Sequence, residues 1–378
     1  MQVIKPKYIF LNNAATTKIR KNIAKKIYKL EKYYLNKQTG KTTKIDKITR
    51  HYIKKVTIIL KCTAKELIWT SGATESNNLV IKGLLKDKDN IITTNIEHDS
   101  ILKTLKTHTG KILTLITHTS KSLTTQFKQI IQHHKIKLAS ICYVNNETGK
   151  INNIKKIAQI CKQKQIILHI DATQAFGKIN INTTTTPVDL ITISSHKIYG
   201  PKGIGLLYIK TPLINQITPL ITGGQQQPIR AGTLSQQNII GACAAIVAIK
   251  KDIKKCNAKI TKLNKFMLNS LKKTFKNNFN YIKGKKIPHI TCMWIKHLNS
   301  KILLHKLKPI IIANKAACNN TSTYSNKIKK LTQFNKFTKL TFRISIGKNN
   351  SYCEIENLIK KLIHIYTTTI NPLLLEKQ

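Results

Sequence analysis

The sequence predicts an α/β protein on a mostly parallel sheet, followed by a smaller α+β domain. Three observations carry this. Short apolar runs alternate with amphipathic stretches of about 10 to 15 residues between Leu67 and Ile209, the pattern of strands joined by crossover helices. Polar segments carrying glycine or hydroxyl side chains follow several of the predicted strands, at the ends where such sheets gather ligands. Beyond about Ala248 the texture changes to a long lysine-rich helical stretch with only isolated strands.

The elements follow in order. From Lys18 to Leu35 the apolar positions Ile19, Ile23, Ile27, Leu30 and Tyr34 recur every three or four residues, and Ile48, Tyr52, Val56 and Ile59 repeat the pattern, so two amphipathic helices open the chain. Strands are then predicted at Leu67–Thr70, Ile91–Thr94, Ile112–Ile116, Leu138–Val144, Ile166–Asp171, Asp189–Ser194 and Ile204–Ile209, seven in all. Helices fall between them at Thr74 to Lys86, near Ile101, at Ser122 to His133 and at Ile154 to Gln163. The second domain contains a strand near His289–Trp294, a helix near Ser300–Leu307 and a helix from Ile355 to Ile365. We place the large domain at 13–252 and the small one at 1–12 and 253–378.

The formal charge is +51, from 66 basic against 15 acidic residues, which at first sight indicates a polyanion binder. Composition argues otherwise. Only Arg20, Arg50, Arg230 and Arg343 are arginine, lysine is swollen together with Ile, Asn and Thr, and the lysines are spread along the chain rather than clustered. We read the excess as an AT-rich coding bias, with nucleic acid not a specific partner. No run approaches a membrane span, and Met1–Phe10 lacks the pattern of a secretory signal, so a cytoplasmic protein is expected. The eight cysteines show no C-x-x-C pair and no metal-ligand spacing, so neither a metal site nor a disulfide framework is expected.

Three segments carry chemistry. Thr70-Ser71-Gly72-Ala73-Thr74-Glu75-Ser76-Asn77 is a glycine turn opening a helix, where backbone N–H groups suit an anion, although an ordinary helix cap would look the same. The run Ile166–Asp171 delivers a carboxylate at a strand end, costly unless a cation or a protonated ring nitrogen faces it. In Ser194-Ser195-His196-Lys197-Ile198-Tyr199-Gly200-Pro201 a lysine stands at another strand end among small residues, a candidate Schiff-base former. Phosphate anchor, buried acid and strand-end lysine together describe a pyridoxal 5'-phosphate pocket. Arg343 stands in the apolar run Leu340–Ile344 of a chain that otherwise uses lysine, which suggests a bidentate carboxylate partner; a solvent-facing edge-strand arginine is the plainer alternative.

With these segments, and with Asn12-Asn13-Ala14-Ala15, Glu97-His98, Asn145-Asn146-Glu147-Thr148-Gly149, Asp171-Ala172-Thr173-Gln174 and Arg230-Ala231-Gly232-Thr233, the chain resembles the cysteine desulfurases of the class V aminotransferase family. That group supplies sulfur for iron–sulfur cluster assembly and tRNA thiolation. The resemblance is strong to about Leu234, thin from Lys250 to Ile310, and returns at Cys318 and Phe342–Ser345. It implies the PLP-dependent transferase fold and a homodimer acting on L-cysteine. Lys197 would form the Schiff base, Asp171 would pair with the pyridinium nitrogen, and Gln174 would bond the phenolic oxygen. His98 would stack on the ring and move protons, while Ala73, Thr74, Ser194 and His196 would hold the phosphate, with Thr233 reaching it from the neighbouring subunit. Asn146 and Arg343 would contact the substrate, and Cys318 would accept sulfur as a persulfide, leaving L-alanine.

The chain departs from the pattern in the small-residue loop Ala316-Ala317-Cys318-Asn319-Asn320, in a shortened Gly223–Arg230 stretch, and after Pro372, where only six residues remain. The last implies weakened docking of an iron–sulfur scaffold protein or other sulfur acceptor. Two other classes stay open at this point: a selenocysteine lyase or other class V enzyme, and a catalytically dead nucleic-acid-binding relic.

Overall fold

The computed structural model describes residues 8–31, 44–117, 121–224, 227–314 and 340–369. It divides into two compact units, a larger one of residues 17–144 and 152–253 and a smaller one of residues 1–16, 145–151 and 254–378. The first described strand, β1 (Ile9–Phe10), belongs to the smaller unit. The next seven, β2 (Leu67–Thr70), β3 (Ile91–Thr94), β4 (Ile112–Leu115), β5 (Leu138–Cys142), β6 (Ile167–Asp171), β7 (Leu190–Ser194) and β8 (Gly205–Ile209), form the sheet of the larger unit in the order 2-8-7-6-5-3-4. All neighbours are parallel except β8, which runs against both β7 and β2. Reversing twice brings β2 back into line with the others.

The helices of the larger unit are α1 (Lys21–Leu30), α2 (Lys44–Leu60), α3 (Ala73–Leu84), α4 (Asp99–Leu105), α5 (Leu123–His133), α6 (Ile154–Gln163) and the short α7 (Thr211–Ile214). Their ends have local causes. Ser122 accepts from Thr125 N–H at the start of α5 and Asn153 from Lys156 N–H at the start of α6, each satisfying a donor the helix cannot. Strands β5 and β7 are buried at every position, as a sheet covered on both faces requires, whereas edge strand β4 exposes Ile112. A cluster including Ile68, Leu79, Ile91, Ile101, Leu138 and Leu207 forms the core beneath α3 and α4.

Helix α8 (Gln236–Phe275) is a single 40-residue helix that crosses the boundary between the units at residue 253. In the smaller unit it contributes Ile260, Leu263, Met267 and Leu271, spaced to form one apolar stripe, to a core with Phe342, Ile344, Ile355, Leu358 and Leu362. The remaining strands are β9 (Phe279–Tyr281), β10 (Ile290–Ile295), β11 (Ile310–Ile311), β12 (Ala313–Asn314) and β13 (Phe342–Ser345). Four of them make an antiparallel sheet ordered 12-13-10-9, and β1 pairs with β11. Among the described residues two further helices belong to this unit, α9 (Ser300–Lys306) and α10 (Tyr352–Thr369). The segment Asn145–Ile151, which the sequence reading placed in the large domain, groups with the smaller unit: Ile151 N–H bonds Lys285 O, and Ile287 N–H bonds Gly149 O.

Candidate active site

Because β2, β3, β5, β6 and β7 run in one direction, the loops after them share one edge of the sheet. Register sharpens this. Gly205 of β8 lies opposite both Thr70 of β2 and Ser194 of β7, so the Gly72 turn and the Ser194–Lys197 loop flank a single residue. A Cβ on Gly205 would stand 2.7 Å from Gly72 Cα, which is why that position has no side chain. Gly72 precedes α3 without any side-chain cap, leaving the first N–H groups of the helix, at Ala73 and Thr74, directed along its axis. Thr70 braces the turn through Gly72 O at 3.1 Å and Ser76 Oγ at 2.8 Å.

Asp171 ends β6, buried, with Oδ1 accepting from Thr173 N–H at 2.9 Å and Oδ2 from Asn77 Nδ2 at 3.0 Å. His98 is the N-cap of α4, and its Nδ1 accepts from Ser100 N–H at 3.1 Å. Beside it Glu97 is fully buried, accepting from Thr94 Oγ1 at 2.6 Å and Cys142 N–H at 2.9 Å. Burial, reinforced by the nearby Asp171 charge, pushes the Glu97 carboxyl up to about 7.

Positive charge gathers around Lys197, which follows β7 in a short 3-10 turn. His196 O accepts from Thr17 N–H and Oγ1, and Tyr199 N–H in turn donates to Thr17 Oγ1 at 2.8 Å, so residue 17 pins both sides of the lysine. Burial, then Lys197 and Lys202, lowers the His196 imidazole to about 4. Lys178 is brought down to about 7 by burial and by Lys197. Its Nζ donates to Gln174 O at 3.0 Å and Oε1 at 2.9 Å, leaving the Gln174 carboxamide nitrogen as the end turned away from that cation. Buried basic groups beside a positive neighbour are relieved by an anion.

The smaller unit holds a separate polar group. Arg343, on β13 and 6% exposed, donates from Nη1 to Asn146 O at 2.7 Å and Glu147 Oε1 at 3.0 Å, and from Nη2 to Asn12 Oδ1 at 3.1 Å. Its Nε has no partner among the described residues. Asn146 Nδ2 also bonds Glu147 Oε1, at 2.9 Å. The sequence-predicted residues thus fall into two sets, Ala73, Thr74, His98, Asp171, Gln174, Ser194, His196 and Lys197 in the larger unit, Asn146 and Arg343 in the smaller. Thr233 is exposed in the loop before α8, and Cys318 lies outside the described residues. Sequence reasoning assigned nothing to Lys178, Glu97, Asn77 or Glu147. Three lie within segments quoted for the resemblance and Lys178 four positions beyond one, yet their types gave no signal of their partners.

These residues suit pyridoxal phosphate: an uncapped helix start and crowded cations for the phosphate, a buried carboxylate, and an amine at a strand end. The fold is that of the PLP-dependent transferases. The chain belongs to the class-V aminotransferase family, which it matches over residues 9–358. It is 32% identical over 375 residues to the cysteine desulfurase IscS of Buchnera aphidicola subsp. Acyrthosiphon pisum (strain 5A), covering 94% of this chain and 92% of that one. It is also 32% identical over 328 residues to a mitosomal cysteine desulfurase of Trachipleistophora hominis, covering 82% and 74%. Among solved structures, a NifS-like protein from Rickettsia africae ESF-5 superposes with TM-score 0.83 at 27% identity, covering 95% of this chain and 99% of that one.

Proposed function

We propose that the protein is a homodimeric, PLP-dependent cysteine desulfurase that converts L-cysteine to L-alanine and transfers the sulfur to the Cys318 thiol, for iron–sulfur cluster assembly or tRNA thiolation. The observation that supports it most directly is the joint placement of Lys197, Asp171 and His98 at one sheet edge, in a chain about one-third identical to named desulfurases along most of its length. Bound pyridoxal phosphate supplies an electron sink that labilises bonds at the substrate's α and β carbons.

The chain's own residues do the rest. Lys197 would provide the amine that anchors the cofactor. Asp171 would pair with the ring nitrogen and favour its protonated form, and Gln174, held through Oε1 by Lys178, would bond the phenolic oxygen. Ala73, Thr74, Ser194 and His196 take the phosphate, with Thr233 contributed by the second subunit. Arg343 receives the substrate carboxylate through its unpartnered Nε edge, and Asn146, fixed by Glu147, lies beside it. The Cys318 thiolate attacks the substrate sulfur; the C–S bond breaks, an S–S bond forms, and the carbon left behind takes a proton, so cysteine plus thiol gives alanine plus persulfide.

The test is an absorption spectrum of the cofactor-loaded protein with and without L-cysteine, followed by an alanine assay. The wild type is expected to show a visible band that cysteine shifts and to release alanine. Lys197→Ala is expected to lose both the dialysis-resistant band and alanine formation, and Cys318→Ala to keep the band and lose turnover. A loaded wild type that releases no alanine refutes the proposal.

A further inference from the structure

The proposed site includes Asp171 and His98, which the resemblance reads as the proton-moving residue, but not the two residues that join them. Asn77 Nδ2 lies 3.0 Å from Asp171 Oδ2 and 2.9 Å from Ser100 Oγ. Ser100 Oγ in turn is 2.9 Å from His98 Nδ1, the atom that also accepts from Ser100 N–H. Asn77 and Ser100 are both buried, and Asn77 comes from the first turns of α3 whereas Ser100 belongs to α4. A continuous hydrogen-bonded path therefore runs Asp171–Asn77–Ser100–His98.

The donors along this path have one consistent arrangement. Asn77 Oδ1 has no partner among the described residues, so the amide nitrogen is the end committed to the network. That orientation follows from charge, because an amide oxygen turned toward the Asp171 carboxylate would face another acceptor. One hydrogen of Nδ2 goes to Asp171 and the other to Ser100 Oγ. With its oxygen accepting from Asn77, the Ser100 hydroxyl directs its own hydrogen at His98 Nδ1. Two donors then converge on Nδ1, which can only accept, and the single proton of the neutral ring sits on Nε2.

We infer that Ser100 and Asn77 are positioning residues that fix His98 as the Nε2–H tautomer and tie its ring to the carboxylate of Asp171. The inference rests on the reading of His98 as a proton-moving residue. It adds that the His98 ring meets the site as a hydrogen-bond donor at Nε2 in its resting state, and that Nε2 can accept a proton only once the ring hydrogen has moved to Nδ1, for which both Ser100 donors must withdraw. Histidine is an unusual N-cap, and this arrangement accounts for it: the nitrogen that caps α4 is the one that must stay unprotonated.

The test uses full-length protein labelled with 15N-histidine, with the His98 signals assigned by their loss in His98→Gln. In neutral wild-type protein without cofactor, His98 is expected to show a protonated Nε2 and a bare Nδ1. Ser100→Ala is expected to shift the ring toward a mixture of tautomers, and Ser100→Thr, which restores the hydroxyl, to return it to the wild-type pattern. In the cofactor-loaded enzyme Ser100→Ala is expected to lower kcat for alanine formation at least about tenfold, with KM for cysteine changed less than about twofold. A wild-type His98 protonated on Nδ1, or a Ser100→Ala variant with unchanged His98 signals, overturns the inference. Should the tautomer behave as stated while loaded wild type forms no alanine, the positioning stands and the desulfurase reading falls.

Discussion

Lys197 and Arg343 are both basic residues inside folded units, yet their surroundings are opposite in kind. Around Lys197, burial first and then neighbouring positive charge hold Lys178 and His196 well below their ordinary pKa values. Around Arg343 a buried carboxylate, a carbonyl and an amide oxygen take up the guanidinium, leaving one nitrogen over. The first cluster buries basic groups at a cost that a bound anion relieves; the second is balanced beforehand and has one donor to offer. An anionic cofactor suits the former, and a carboxylate-bearing substrate that must come and go suits the latter.

The contrast can be broken first at Arg343. Arg343→Ala leaves Glu147 buried without its cation and should destabilise the protein by about 3–5 kcal/mol, read by denaturant unfolding. Arg343→Lys keeps the charge, so most of the stability should return, while KM for cysteine rises about tenfold for the loss of one charge-assisted hydrogen bond of ~1.5 kcal/mol. Equal stability of Arg343→Ala and wild type would show that the pair is not balanced as described.

A smaller effect is expected at Lys178, with the opposite sign. Its folded pKa, about 7, lies below the 10.5 of the unfolded chain, so between those values the unfolded state binds more protons and stability rises with pH. Lys178→Met removes the burdened amine. Without cofactor the variant should therefore be more stable than wild type by roughly 2–3 kcal/mol below pH 7, a gap that closes by pH 10.5. Adding pyridoxal phosphate should narrow the gap at low pH. A gap independent of pH would mean that packing, not charge, sets it.

The smallest effect belongs to a pair resembling neither cluster. Glu75 accepts from Arg230 Nε at 3.0 Å and from Ser71 N–H at 2.7 Å, and despite burial these bonds hold its carboxyl below the usual range. Both side chains are partly exposed, at 20% and 13%, so Arg230→Ala should cost only about 0.5–1 kcal/mol in thermal or denaturant unfolding.

Legibility in the sequence followed period and length. Helix α6 begins and ends where the spacing of Ile154, Ile157 and Ile160 predicts, and the strands of the larger sheet agree with expectation to within two residues. Helix α8 was only half legible: its lysine-rich part shows a stripe, but Gln236–Ala248 begins earlier than expected because Ile239, Ile240, Ala242, Cys243, Ala245 and Ile246 are buried together and leave little polar contrast. Strands β1, β11 and β12, two residues each, are too short to show any period. The candidate-site residues were legible as types at strand ends, and the resemblance gave them proposed roles.

By itself, then, the sequence determined the strand–helix alternation, the strand ends at which chemistry collects, and the family to which the chain belongs. Tertiary structure decided which side chains meet. Arg343 finds Glu147 across 196 positions and Asp171 finds Asn77 across 94, because strand order and register, not neighbourhood along the chain, set those distances. Periodicity records which face a residue takes within its own element. Where that element lies beside another depends on how the whole apolar surface is buried at once, and only the folded chain holds that information.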